Sequence, residues 1–323
     1  MARVFVQHTN GCDIGVFDHG DGFPELGRIR LGPRIKPDYL FVSNDGGTLF
    51  TNWSDMRYRD PGFAGPAESY FTAHDTDTLE ELWRTEIVSG VGHYALDPAE
   101  RYAYCSVVDR PQVARVDLHD RSVDYIGVTS FGGHGVKCLK DGSRVYAGSI
   151  FTGDFWEIDP ETAKMTRLFG FPAPVRPFAP TPDGTRMLVQ LSHLHGFQVL
   201  DLDAWEVVDE VKLPENPPDT PREIAWPFTV DHGILFAKDG SRVFILATTA
   251  NEVYALDYPG FEVRGRLTVG TEPSYLTLSP DGARLYVTSR QTDEFHVIDT
   301  ASFEIVGHRA GTGAYPQRIA VGP

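Results

Sequence analysis

Apolar residues along this chain fall on alternate positions, in runs too short for helices. Residues 279–299, SPDGARLYVTSRQTDEFHVID, show the unit: a Pro-Asp-Gly turn, a run over Arg284–Ser289, a polar break, a second run over Phe295–Ile298, and a closing aspartate, Asp299. Period-two alternation with β-branched and aromatic residues predicts strands. The Asp-Gly turns predict hairpins, because glycine takes positive φ at little steric cost. No stretch carries the pattern of a long amphipathic helix.

The unit repeats. Its closing aspartate recurs as Asp18, Asp75, Asp117, Asp159, Asp201, Asp257 and Asp299, at steps of 57, 42, 42, 42, 56 and 42 residues. Its turn recurs as NDG at 44–46, KDG at 140–142, PDG at 182–184, KDG at 238–240 and PDG at 280–282, with DPAE at 97–100 in the same slot. Each copy holds four short strands; in the last full copy these are expected at Tyr275–Ser279, Arg284–Ser289, Phe295–Ile298 and Glu304–Gly307. A four-stranded unit of about 40–45 residues predicts a β-propeller blade. First strands start near Asp38, Gly92, His134, Arg176, His232, Ser274 and Gln317, which makes seven. The last of these ends the chain without partners, while the opening strands RVFVQHT, DIGVFD and GRIRL lack a strand before them. The expected fold is therefore all-β: one seven-bladed propeller over residues 1–323, four antiparallel strands per blade. Its ring is closed by the N-terminal strands pairing with the C-terminal one, which removes open sheet edges.

The phrase SPDGARLYVTS…HVIDT resembles the YVTN-repeat seven-bladed propellers, a group related to lactonase-like and virginiamycin B lyase-like propellers. The resemblance spans essentially the whole chain, although most blades depart from a literal Tyr-Val-Thr-Asn: YVTS, YAGS, YCSV, LVQL and FILA. It implies the fold more than the activity, because the group includes enzymes, surface proteins and binding modules. The virginiamycin B lyase-like members combine channel histidines with a divalent metal.

In this topology the first strand of each blade runs down the central channel, and the b–c and d–a loops share the top face. The chain's extra length falls in two such loops, about 53–69 (WSDMRYRDPGFAGPAES) and 214–230 (PENPPDTPREIAWPFTV). Long loops on a rigid scaffold are where binding residues concentrate.

The residue eight before each turn glycine, or its equivalent, should face the channel mouth: Asp38, Gly92, His134, Arg176, His232, Ser274 and Gln317. The next position gives Tyr39, His93, Gly135, Pro177, Gly233, Tyr275 and Arg318. Six of the 11 histidines map to this face: His8, His93, His134, His193, His195 and His232. Imidazole is both a common metal ligand and the side chain suited to proton transfer near neutrality. Two uses stay open. His93, His134, His195 and His232 can hold a divalent metal (Zn²⁺, Fe²⁺, Mn²⁺, Cu²⁺ or Mg²⁺), or the channel histidines can act metal-free as acid and base. The catalytic candidates are His134 and His232, Arg176 to orient an anionic group and stabilise an enolate-like or oxyanion transition state, and Asp38 as a base or salt-bridge partner. The substrate-binding candidates are Tyr39, Trp53, Tyr275, Gln317, Arg318 and Trp226. His74, His119, His296 and His308 fall on outer strands or bottom turns, where structural roles are expected.

Composition narrows the classes. A net charge of −16 and a pI near 5.0 repel phosphate backbones and anionic lipid, so neither nucleic acid nor membrane is an expected partner. No run approaches the ~18 apolar residues of a membrane span, and MARVFVQHTNG enters a strand with no signal-like apolar region. Cys12, Cys105 and Cys138 form no C-x-x-C pair, which fits free thiols in a reducing cytoplasm. A G-x-S-x-G elbow, a Walker loop, H-E-x-x-H and a Rossmann fingerprint are all missing, so no nucleotide cofactor is expected. The expectation is a cytoplasmic enzyme acting on a small molecule in a top-face channel pocket, of lyase, isomerase, cyclase or lactone-hydrolase type. The alternative is a non-catalytic binding or scaffold propeller for a peptide or protein partner.

Overall fold

The structure, a computed structural model, describes residues 3–55, 68–88, 90–214 and 229–322. These form seven four-stranded antiparallel sheets arranged as the blades of a propeller. The inner strands are Ile35–Val42, Val91–Leu96, Gly133–Cys138, Val175–Pro180, Ile234–Phe236, Pro273–Leu278 and Pro316–Val321, for the second to the seventh blade and then the first. The first blade is composite. Pro316–Val321 pairs antiparallel with Arg3–His8, so the last strand of the chain becomes the inner strand of the sheet that opens it.

The repeated aspartates are turn caps. Oδ1 of Asp75, Asp117, Asp159, Asp201 and Asp299 each accepts the backbone N–H groups two and three residues on. Those N–H groups hold the Asp75, Asp159 and Asp299 carboxyls below their ordinary pKa. Four residues after the aspartate the chain adopts the left-handed region at Leu79, Arg121, Ala163, Trp205, Phe261 and Phe303. At the a–b turns the same requirement falls on Gly46, Gly142, Gly184, Gly240 and Gly282, with φ between 70° and 79°. In the DPAE turn Glu100 takes that place at φ 53°.

Because strand residues alternate between faces, each blade buries both faces against its neighbours. In the first blade Val4, Val6 and Phe17 pack on Tyr286, Phe295 and Val297 of the seventh. Phe5, Ile14 and Val16 pack on Leu40 and Leu49 of the second. Corresponding clusters fill the other five gaps. The core is thus a ring of seven seams around the channel, and the composite blade supplies the two that close it.

Ile319 is fully buried in the closing strand. Ile319→Ala is expected to destabilise the protein by about 2–5 kcal/mol, as for other large-to-small core changes, read from urea unfolding. A loss under about 0.5 kcal/mol, the range of neutral surface substitutions, would show that closure contributes little to stability.

Candidate functional site

Every inner strand carries an extra residue at the same height. Pro37 pairs with Trp53 and Tyr39 with Asn52, leaving Asp38 unopposed. The same surplus occurs at His134, Ser274 and Gln317, between Val91 and Tyr94, and between Val175 and Phe178. In the sixth blade both His232 and Gly233 bond to Leu246. A bulge turns an extra side chain off the pleat. Here seven of them direct residues from distant parts of the chain toward one axis.

The side chains so delivered form a polar layer across the channel. The His93 and His134 rings lie 3.8 Å apart between centroids, and His232 stands 6.4 and 6.1 Å from them. The Arg318 guanidinium is fully buried and donates to His93 Nε2 and, at 3.2 Å, to the Gln317 carbonyl. It lies over the rings of Tyr39 and Tyr275, at 5.3 and 4.8 Å from their centroids. The two tyrosines share a hydroxyl hydrogen bond of 2.6 Å. Among the described residues no carboxylate is within ion-pair distance of Arg318, and its Nε has no partner.

The electrostatics follow. Burial, then repulsion from the neighbouring imidazoles and Arg318, holds His93 well below the ordinary histidine pKa. Burial likewise holds down His134 and His232, with help from Arg318. All three are neutral at pH 7. His232 Nδ1 donates to the Ser274 carbonyl at 2.9 Å, which leaves its lone pair on Nε2. His134 Nδ1 is buried without a partner. Burial lowers Arg318 and burial raises Tyr275. Arg176 Nε donates to Ser192 Oγ at 2.7 Å, and burial lowers its pKa to about 10. Asp38 is buried, 3.3 Å from Lys36 Nζ, and its charge acts on Arg318.

A cavity of about 180 Å³ lies against this layer. Tyr39, His93 and Tyr275 line one side and Gly135, Pro177 and Gly233 the other. It continues past Phe41, Lys137, Leu235 and Thr277, further along the inner strands and toward the a–b turns. Most of both inserted loops, and Trp226 with them, lies outside the described residues.

Two expected site residues are placed elsewhere. Trp53 belongs to the strand Thr48–Asp55 and not to an inserted loop; its ring packs on Tyr70 at 4.5 Å beside Arg84, in a cleft against the first blade. It pairs opposite Pro37, one position before the bulge, so the pleat turns it away from the axis. His195 has both ring nitrogens engaged, Nδ1 with Asp231 and Nε2 with the Pro214 carbonyl, each at 3.0 Å. Burial opposes protonation of His195, but the Asp231 carboxylate outweighs it and raises the pKa. His195 is thereby a brace for the d–a loop and has no lone pair directed at the channel histidines. Gln317 accepts from Thr9 at 2.6 Å and offers its carbonyl to Arg318.

Sequence reasoning missed Lys137, Phe178 and Thr277 in the cavity wall. It also missed Glu272, which gathers Arg290, Gln291 and Tyr315 near the mouth. The wall residues follow two positions after the candidate column, so alternation applied one step further would have found Lys137 and Thr277. Glu272 lies in a linker with no repeat signature.

A metal in the channel requires imidazole lone pairs to converge. Arg318 occupies the His93 Nε2 and places a cation in the same layer. Among the described residues the group of His, Cys, Asp and Glu side chains with ligand atoms close enough for one ion is Glu294, His296 and His308, on outer strands of the seventh blade.

No family model matches the chain, and no curated protein does. Its fold is shared with solved structures. A periplasmic gluconolactonase from Pseudomonas aeruginosa is 19% identical over 100% of this chain and 99% of that one, with a TM-score of 0.75. A provisionally assigned 6-phosphogluconolactonase from Bacteroides fragilis is 13% identical over 100% and 98%, at 0.74. Kuenenia stuttgartiensis hydrazine synthase is 16% identical over 87% and 88%, at 0.69. At these identities the likeness is one of fold: the chain is a seven-bladed β-propeller resembling lactonase propellers.

The depressed histidines make a pH prediction. Their folded pKa values lie below the unfolded value of about 6.5, so stability present above that pH is lost as pH falls toward the folded values. Each imidazole kept neutral contributes a slope of up to about 1.4 kcal/mol per pH unit. Urea unfolding at pH 7 and pH 5 should show the decline, and His134→Gln and His232→Gln should each flatten it. An unchanged slope in both variants would mean that these rings protonate freely in the folded protein.

Proposed function

We propose that the protein is a lactone hydrolase acting on a small, polar substrate in the central channel, within the YVTN-type propellers. The observation that carries this reading is Arg318: a fully buried guanidinium with no carboxylate at ion-pair distance among the described residues, set among three neutral imidazoles in a protein of net charge −16. Breaking a buried ion pair by removing one partner costs several kcal/mol, and an unpaired buried cation is similarly unfavourable. Its ring contacts return only part of that, up to about 2 kcal/mol for a desolvated cation–π pair. A site held this way suits an anion, or an oxygen that becomes one.

Ester-ring opening meets that description. Water adds to the lactone carbonyl, forming a C–O bond, and its proton passes to an imidazole lone pair, for which His232 Nε2 is the candidate. Charge developing on the carbonyl oxygen is stabilised by Arg318. The ring C–O bond then breaks, the imidazolium returns its proton to the departing ring oxygen, and the resulting hydroxy acid releases its carboxyl proton to solvent, leaving a carboxylate that pairs with the guanidinium. Neutral His232 can accept a proton at pH 7 without first losing one. The Tyr39–Tyr275 pair lines the cavity, and Arg176 stands near His134 and His232 in the adjoining layer. No metal is needed for these steps. The lactonase-like folds support the reaction class, and the reducing compartment suited to three free thiols supports a cytoplasmic setting.

The test is hydrolysis of a panel of aldonic-acid lactones, followed by base uptake at constant pH. The wild-type protein should turn over at least one. His232→Gln should lower kcat by about 10²–10⁴, the usual worth of a general base, and Arg318→Gln by about 10²–10³. Saturable aldonate binding without turnover, lost in Arg318→Gln, would move the assignment to a binding module. Neither turnover nor binding across the panel would overturn the reading.

A further inference from the structure

The 42-residue repeat provides an internal comparison on the outer strands. In the sixth blade Glu252, Tyr254 and Arg266 share one sheet face, Tyr254 directly opposite Arg266. Arg266 pairs with Glu252 at 2.6 Å, and the Tyr254 hydroxyl donates to Glu252 at 2.9 Å. That is a brace: one acceptor satisfied by two donors. Forty-two residues on, the same three positions are Glu294, His296 and His308, with His296 directly opposite His308. The carboxylate is retained, while a phenol and a guanidinium have both become imidazoles, whose nitrogen lone pairs are common metal ligands.

The geometry points to a divalent transition-metal site here, Zn²⁺ being the ion its two-nitrogen, one-carboxylate donor set suits. The ligand atoms of Glu294, His296 and His308 all lie within 4.8 Å of one another. The imidazole rings are 4.7 Å apart between centroids, and His308 Nε2 reaches Glu294 Oε2. Tetrahedral zinc with bonds near 2.0–2.1 Å sets its ligand atoms about 3.3 Å apart, which lies inside the 4.8 Å spread of these atoms and requires His308 Nε2 and Glu294 Oε2 to separate from their hydrogen bond. His308, with its side chain 44% exposed, has room to make that adjustment. The second observation is an orphan: His296 Nδ1 is buried with no hydrogen-bond partner, a state that buried polar atoms rarely keep. Gly270 adjoins the Glu294 carboxylate, and a Cβ there would overlap it. Three protein ligands leave a position open to solvent.

The experiment is Zn²⁺ titration of the untagged, metal-stripped full chain by calorimetry, with zinc content after dialysis as a second readout. One equivalent is expected to bind the wild type. His308→Arg, which restores the sixth-blade residue at a surface position, should weaken binding at least 100-fold, and His296→Tyr should do the same. His134→Gln with His232→Gln should leave the equivalent in place, which separates this site from the channel. Thermal unfolding of each variant shows whether it is folded. No bound equivalent in the wild type, or one that survives in folded His308→Arg, overturns the site. An equivalent lost only with the channel histidines assigns the metal to the channel and overturns it equally.

Discussion

Seven strands converge on one axis, and each accommodates a surplus residue against its neighbour at the same height. This shared bulge is the constraint on which the site depends. A regular ladder would alternate its side chains between the two inter-blade seams, leaving little that points at the channel. Breaking the register once per blade lets both the surplus residue and the one after it reach inward. That is how His134 and His232, both at bulge positions, meet His93 and Arg318, which follow bulges in other blades. The seams on either side hold the displacement rigid, since each inner strand is packed on both faces.

The channel inverts the electrostatics of the surface. Carboxylates outnumber basic groups across the chain, yet the polar layer holds Arg318 and Arg176 with neutral imidazoles. The two facts are coupled. A buried guanidinium lowers the proton affinity of every imidazole near it, so the arrangement that prepares an anion site also keeps potential bases unprotonated. The acidic exterior discourages polyanions, while a small anion entering the channel finds buried donors.

The fold was legible because its turns have strict requirements. An aspartate that caps two N–H groups, in five of the blades, and a turn glycine that takes positive φ, also in five, leave marks 42 residues apart, or 56 and 57 where a loop is inserted. The seven aspartates give blade number and strand order. The candidate site was partly legible for the same reason: a fixed offset from the turn glycine returns the bulge column. Other features carried no mark. Gly135, Pro177 and Gly233 fall in the same column as Arg318 and His93, and small residues announce no chemistry, so their place in the cavity wall could not be read. Trp53 was misplaced because loop length was counted from strands whose ends were unknown; the strand extends to Asp55 and turns the ring toward a seam. Nothing local in PQRIAV reveals that Arg318 is buried against an imidazole, since its pairing is decided by strands 200 or more residues away, such as the one that carries His93.

A repeat protein also permits an argument that a single sequence otherwise denies. Equivalent positions in different blades share backbone geometry, so a departure in one blade is a change of chemistry at constant structure. Gln198 and Glu210 in the fifth blade, Tyr254 and Arg266 in the sixth, and His296 and His308 in the seventh occupy the same cross-strand pair. In the fifth the pair hydrogen-bonds within itself, Gln198 to Glu210 at 2.8 Å; in the sixth both members satisfy a neighbouring carboxylate. An orphaned atom is not by itself the mark of the seventh blade, since Gln198 Oε1 lacks a partner just as His296 Nδ1 does. What sets the seventh blade apart is its donor set: two imidazoles and a carboxylate gathered on one sheet face, where the sixth holds a phenol and a guanidinium against the equivalent carboxylate.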